Sequence, residues 1–397
     1  METEFLKETV EPLLDWFREN ARKLAWREKP LPYYVWVSEI MLQQTRVEAV
    51  KPFFARFIQA LPDVEALACC PEERLLKLWE GLGYYNRVRN MQKAAQLVTA
   101  KYGGRLPASY EELMTLPGIG SYTAGAIASI AYGLAAPAVD GNVLRVMSRI
   151  TGSEADISAP QVKKQFEELV MQVIPKDRPG MFNQALMELG ATVCLPNGVP
   201  SCLVCPVRQM CIACRDGRQM ELPVKAPKKA RRIEQRTVLV IRDSEHAAIC
   251  RRPPKGLLAG LYELPNLEGC LSPEEAVAAV RQYGFSPIRV MPLGGAKHIF
   301  SHVEWRMTGY MVLVEDEAAG ERAVNTADTD SGAALVYDSG VSGGRGKTDG
   351  GAASVEGAPL LFIEPERTER DYPIPAAFAA YVKYLSIRLG QDKFEQI

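Results

Sequence analysis

The stretch Leu116-Pro-Gly-Ile-Gly-Ser-Tyr-Thr-Ala-Gly-Ala-Ile127, followed after an apolar run by Ala138-Val-Asp-Gly-Asn142, decides how this chain is read. Pro117 ends one helix. Gly118 and Gly120 suit a tight turn, because glycine adopts backbone conformations closed to other residues. A second helix is expected to start at once, with its free N–H groups and positive dipole end facing out of the turn. That arrangement suits a phosphate oxygen. Asp140 follows twenty residues after Gly120. Two readings stand side by side here. One is a helix-turn-helix hairpin with Asp140 as an N-cap. The other is a grip on a nucleic-acid backbone with a carboxylate aimed at a sugar.

The whole chain sets bounds on both readings. Its 397 residues predict two or three domains. It is 47% hydrophobic and 24% charged, ordinary values for a globular protein. The most apolar stretch, Ala124 to Val139, is short and broken by Gly and Pro, which predicts a buried helix and no membrane span. The N-terminus lacks a signal-peptide pattern, so a cytoplasmic protein is expected, nucleoid-associated if bacterial. Net charge is −1, and the first 220 residues are also nearly balanced, so any DNA-binding surface must be local. The three histidines are His246, His298 and His302, which argues against histidine chemistry in the N-terminal half.

Residues 1–220 read as helical. Apolar residues recur at helical spacing in Leu13–Trp16–Phe17, Phe53–Phe57, Leu75–Leu78–Trp79 and Phe166–Leu169–Val170, and prolines, Pro12 and Pro52 among them, punctuate the run into short helices. Residues 221–236 carry two prolines and six basic residues without an apolar face, as a linker would. Residues 237–397 read as mixed α/β. Strands are expected at Thr237–Ile241, Gly260–Pro265, Glu304–Val314 and Leu360–Ile363, with helices at Pro273–Tyr283 and Ala376–Leu389. The Gly/Ala/Ser/Asp-rich tract 315–358 is expected to be a flexible insertion.

Cys194, Cys202, Cys205 and Cys211 form C-x7-C-x2-C-x5-C. Such density in an intracellular chain argues for metal over disulfides. Four thiolates suit zinc or a [4Fe–4S] cluster, and the single C-x2-C knuckle with uneven spacing favours iron–sulfur. Cys214 is a spare candidate. Glu39 lies in the apolar run Tyr34 to Leu42, where lost solvation would raise its pKa and make it a proton donor. The competing reading places Glu39 on an exposed stripe. Paired with an ionised Asp140, Glu39 could cleave a glycosidic bond: one carboxyl protonates the leaving group and the other stabilises the cationic sugar.

These motifs resemble the helix-hairpin-helix DNA glycosylases, and within them the adenine DNA glycosylase (MutY) family. The matching tracts are W-R at 26–27, W-V-S-E-I-M-L-Q-Q-T-R-V at 36–47, G-L-G-Y-Y-N-R-V-R-N at 81–90 and N-Q-A-L-M-E-L-G at 183–190. The hairpin, V-D-G-N, the cysteine tract and F-S-H at 300–302 join them. The resemblance implies an all-α glycosylase region with a [4Fe–4S] cluster loop, followed by an α/β Nudix-like domain. Within residues 1–220 it implies a six-helix barrel at about 26–134 and a cluster subdomain built from 1–25 plus 135–220.

The implied activity is monofunctional hydrolysis of adenine mispaired with 8-oxoguanine or guanine in double-stranded DNA, by a monomer. Carried over, Glu39 protonates adenine N7, Asp140 stabilises the sugar cation, Asn142 steadies Asp140, and Tyr122 lies against the sugar. Trp26, Arg27, Leu42 and Glu188 line the adenine pocket, while Gln44 and Tyr84 wedge beside 8-oxoguanine. Phe300, Ser301 and His302 inspect that base, Gly118 and Gly120 hold the DNA backbone, and the four cysteines hold the cluster.

Two departures stand out. The first cysteine gap is seven residues where the family has six. The helix at 276–284 lacks the paired glutamates of a Nudix box, so this domain should not hydrolyse nucleotides with Mg²⁺. Rival readings are an endonuclease III-like lyase, which needs a lysine where Tyr122 stands, a non-catalytic iron–sulfur DNA-binding module, and a nucleotide hydrolase.

Overall fold

A computed structural model describes residues 4–227, 230–316, 320–322 and 360–386. Chain contacts divide it into two units, Met1–Cys70 with Asn86–Lys228, and Pro71–Tyr85 with Lys229–Ile397. The segment Pro71–Tyr85, expected with the helical region, therefore packs with the second unit.

Among its described residues the first unit is helical. One core joins residues 6–17 to residues 139–207, through helices Val10–Asn20, Gly141–Thr151, Pro160–Val173 and Pro179–Thr192. Phe166, Phe182 and Leu189 fill it at 1–3% exposure. A second set of helices surrounds Pro32–Leu42, whose Val35, Trp36, Val37 and Met41 are all buried. A helix apolar on nearly every side belongs inside a domain, and this one carries Glu39 into it.

Not every proline ends a helix. Pro32, Pro160 and Pro179 occupy first-turn positions, where the missing N–H is no loss. Pro52, expected to be a break, instead lies inside the helix Val47–Ala60.

Among its described residues the second unit is built on a mixed eight-stranded sheet. Its strands are β1 (Arg232–Arg242), β2 (Ala247–Arg251), β3 (Tyr262–Glu263), β4 (Asn266–Glu268), β5 (Pro287–Ile299), β6 (Val303–Val314), β7 (Gly320–Arg322) and β8 (Leu360–Ile363). The order is β5-β6-β1-β2-β8-β7, with β3 beside β2 and β4 beside β1. β1 and β6 run parallel, from Arg232 opposite Val303 to Arg242 opposite Leu313. One face packs around Trp305, Phe378 and Tyr381, the other against the helix Pro273–Gln282 through Ala276 and Val280. That helix starts in a full capping box of Ser272 and Glu275.

Two expectations change here, and a third is not tested. β1 begins at Arg232, so the last part of the basic stretch 221–236 is strand and not linker. The expected helix from Ala376 is a 3-10 turn followed by the short helix Ala379–Val382, and its remainder past 386 lies outside the described residues. The tract 315–358 also lies outside them, apart from 315–316 and 320–322.

Candidate active site and cluster loop

Glu39 is 5% exposed. Burial pushes its carboxyl up to about 7, with Asp140 nearby adding to the rise, while the Tyr122 hydroxyl and Arg27 work in the opposite direction. Tyr122 Oη donates to Glu39 Oε2 and also approaches Met187 Sδ at 3.3 Å. The same burial, together with the two carboxylates, holds the Tyr122 phenol well above its usual value. Tyr122 sits at the second position of the helix Ser121–Ala126, so the hairpin itself delivers this hydroxyl to the acid. The exposed-stripe reading of Glu39 is thereby overturned.

Asp140 does both things the sequence left open. Its Oδ1 accepts from Val143 N at 2.8 Å, capping the helix Gly141–Thr151, and its Oδ2 accepts from Asn142 Nδ2 at 2.8 Å. The cap therefore orients the carboxylate. Burial raises the Asp140 pKa above its ordinary value, and these donors oppose the rise. Two carboxyls in electrostatic contact, one favoured as acid near neutrality and one held by two donors, are an arrangement that can pair a general acid with an anionic stabiliser.

The hairpin glycines differ from each other. Gly118 has φ +77, and a Cβ there would meet Asn90 Cβ at 2.8 Å, so glycine is required. Gly120 is extended at φ −97, a conformation any residue adopts, and nothing lies within 4 Å of its missing Cβ. The expectation that both glycines serve a special turn is thus corrected. Gly120 leaves the backbone at the helix start open to close approach.

Of the four pocket residues expected from the sequence, two are buried against neighbouring side chains. Trp26 is buried edge-on against Phe54, with ring centroids 5.1 Å apart. Glu188 is fully buried. Arg22 reaches its Oε1 at 2.6 Å and its Oε2 at 2.9 Å, and Arg27 reaches Oε2 at 2.7 Å. Burial would raise the Glu188 pKa, yet these hydrogen bonds outweigh it and hold the carboxyl at about 2. Glu188 therefore stands behind Arg27 and fixes it. Arg27 and Leu42 are half-buried. Gln44 is exposed and holds φ +61, just past the end of the helix that carries Glu39.

Phe300, Ser301 and His302 form the tip between β5 and β6, where Phe300 N donates to Val303 O at 2.8 Å. The Phe300 ring packs edge-on against His298 at 4.5 Å and Trp305 at 4.9 Å. It anchors the tip, and Ser301 and His302 are the exposed members. Tyr84, also at positive φ, lies 3.3 Å from Ser301 Oγ through its hydroxyl.

Cys194, Cys202, Cys205, Cys211 and Cys214 line one partly open hollow. Burial raises the Cys205 thiol to about 12 and Cys211 to about 11, with neighbouring thiols adding to both. Arg149 Nη1 donates to Cys194 Sγ at 3.2 Å. Protonated thiols crowded beside a buried arginine suit deprotonation by a metal group. Among the described residues no three His, Cys, Asp or Glu side chains gather at the spacing of a single metal ion.

Three arginines escaped the sequence reading. Besides Arg22 and Arg149, Arg145 links the two regions: its Nη2 donates to Asn142 Oδ1 at 3.1 Å and its Nε to Cys194 O at 2.8 Å. Their partners are distant in sequence, and only the i, i+4 spacing of Arg145 and Arg149 in an otherwise apolar helix face hinted at a shared role.

With this geometry in view, two family models match the chain. "HhH-GPD superfamily base excision DNA repair protein" covers residues 37–172, and "NUDIX domain" covers residues 237–336. The adenine DNA glycosylase of Rattus norvegicus is 35% identical over 372 residues, covering 77% of this chain and 70% of that protein. The adenine DNA glycosylase of Homo sapiens is 35% identical over 365 residues, covering 77% and 67%. A third, from Buchnera aphidicola subsp. Baizongia pistaciae, is 32% identical and covers 76% and 85%. The chain belongs to the adenine DNA glycosylase family. It is a base-excision DNA glycosylase that hydrolyses N-glycosidic bonds, with a Nudix-like domain after its helical one. No helix among the described residues is long and apolar enough to cross a membrane.

Proposed function

We propose that this glycosylase excises adenine mispaired with 8-oxoguanine or guanine in duplex DNA, acting as a cytoplasmic monomer and leaving the strand uncut. The observation that carries this reading is the buried Glu39, raised to about 7 and bonded to Tyr122 beside Asp140. The adenine must leave the duplex stack before its bond can be reached. Protonated Glu39 then gives its proton to N7 of the flipped base as the C1′–N9 bond breaks. The bonding electrons leave with adenine, and C1′ becomes cationic. Asp140, steadied by Asn142 and the Val143 N–H, lowers the energy of that cation. Water adds at C1′ and its proton goes to a carboxylate. Arg27, fixed by Glu188, and Leu42 hold the base. The open backbone at Gly120 suits a phosphate, beside Gly118 in the turn.

Tyr122 argues against the lyase alternative. The position where a lyase places an amine nucleophile holds a phenol committed to Glu39. Gln44 and Tyr84, and the β5–β6 tip with Ser301 and His302, would read the opposite base.

Cys194, Cys202, Cys205 and Cys211 would hold one [4Fe–4S] cluster. Their side chains line one hollow, which supports a single group shared by all four. Bound, it would cross-link the loop and serve folding. Cys214 is the spare thiol in the same hollow.

The test is adenine release from four duplexes, with A opposite 8-oxoguanine, G, C or T. Fast release opposite 8-oxoguanine, slower opposite G and little opposite C or T is expected. Equal rates on all four would sink the lesion-reading claim.

A further inference from the structure

We propose that Arg87 is a positioning residue that clamps the carboxyl end of the catalytic helix and so holds Gln44 in the geometry that reads the base opposite adenine. The inference rests on the proposed role of Gln44.

Helix Pro32–Leu42 has no basic residue in its last turn, and its last four carbonyls have no partner within the helix. Arg87 supplies what is missing. Its Nη1 lies 2.6 Å from Ile40 O, 3.3 Å from Met41 O and 2.6 Å from Gln43 O. A cation at a helix C-terminus is favourable. Arg87 is itself in the first turn of helix Asn86–Tyr102, a turn without acidic residues, where a cation opposes that helix's own dipole. The residue is thus unfavourable for its own helix and favourable for the neighbouring one. That is the signature of a side chain placed to serve the neighbour.

The turn it grips is strained. Gln43 ends the helix at φ −57 and ψ 111, Gln44 follows at φ +61, and Thr45 N closes back on Leu42 O at 3.2 Å. A non-glycine residue in the left-handed region persists only where its surroundings over-determine it. With Gln43 O and Ile40 O held at one nitrogen, the turn cannot relax without breaking the clamp. Glu39 sits one residue before Ile40, so the same grip joins the end of the acid-bearing helix to Gln44.

These three contacts converge on one nitrogen, and a lysine ammonium, with three donors on a single atom, can make them in place of the guanidinium.

The experiment uses the full chain and its R87K, R87M, Q44A and R87M/Q44A variants. Two readouts are taken: the ratio of single-turnover adenine release opposite 8-oxoguanine to that opposite G, and hydrogen exchange of the Thr45 amide without DNA. R87M should lower the ratio about tenfold and speed Thr45 exchange about tenfold, as release of a strained backbone residue implies. R87K should restore both. The double variant should discriminate no worse than Q44A, because Arg87 acts through Gln44.

Wild-type ratio and exchange in R87M, or effects of R87M and Q44A that multiply, would overturn the proposal. If R87M does not fold, R87Q, whose amide reaches fewer carbonyls, takes its place in both readouts. Failure of the wild type to release adenine would refute the functional reading, and the exchange measurement would still decide the clamp.

Discussion

At the scale of single residues, the site depends on what burial does to Glu39. Its carboxyl is held protonated to about pH 7 in the fold, against 4.5 for the free group. Below pH 4.5 both folded and unfolded chains are protonated there, and the residue is neutral in its effect on stability. As pH rises from 4.5 to about 7, the unfolded chain is ionised there while the fold keeps its proton, so roughly 3 kcal/mol of stability is lost, with little further change above 7. E39Q removes that ionisation. It should raise the thermal midpoint at pH 8 and change it little at pH 4, by calorimetry at both values. An unchanged midpoint at pH 8 would mean that Glu39 is not buried as described. Glu188 shows the reverse sign. Its carboxyl is held at about 2, so its contribution, on the order of 3 kcal/mol, is present above pH 4.5 and disappears as pH falls toward 2. E188Q should destabilise the chain at pH 7 by a similar amount, with the difference from wild type vanishing near pH 2. Urea titrations at the two pH values measure it.

At the scale of elements, the hairpin separates two glycines that look equivalent in sequence. G118A forces a Cβ into a left-handed site and against Asn90, and should cost at least about 1–2 kcal/mol. G120A meets nothing and should change stability by less than about 0.5 kcal/mol. Its added methyl should instead weaken DNA binding, measured on a duplex with a non-cleavable adenine analogue. If G120A binds as the wild type does, the phosphate does not seat there.

The elements also show what sequence could carry. Glu39 and Asp140 were legible because each sits in a local pattern, an apolar helix and a V-D-G-N cap. β5 was not, since Pro287, Pro292, Gly294 and Gly295 read as loop. It lies at the edge of the sheet with register shifts between Pro287 and Arg289 and between Leu293 and Ala296, and an edge strand with bulges tolerates such residues. The arginines were illegible for another reason. Arg22 finds Glu188 166 positions away, and Arg87 finds Gln43 44 positions away. No local spacing encodes such partners.

At the scale of the whole molecule, the two units hold separate sets of the expected site residues. The helical unit contains both carboxylates, the hairpin and the cysteine hollow. The second unit keeps a Nudix-type sheet without the glutamates that would hold Mg²⁺, and it gathers Tyr84 and Ser301 within itself. Fold class and domain order were readable from composition and motif. The assignment of Pro71–Tyr85 to the second unit was not, because its helical pattern says nothing about which surface it packs on. Through Arg145 the Asp140–Asn142 pair shares a hydrogen-bonded frame with the backbone of Cys194.

The most direct measurement is the pH dependence of single-turnover adenine release from a duplex with A opposite 8-oxoguanine, for wild type and E39Q. Wild-type release should fall as pH rises through about 7, where Glu39 loses its proton, and should also fall in acid as Asp140 becomes protonated. E39Q should bind the duplex and release adenine at least about 100-fold more slowly at and below pH 7, with the difference shrinking as the wild type loses its proton above pH 7. Release by E39Q at the wild-type rate, or a wild-type rate that stays flat through pH 7, would contradict Glu39 as the acid.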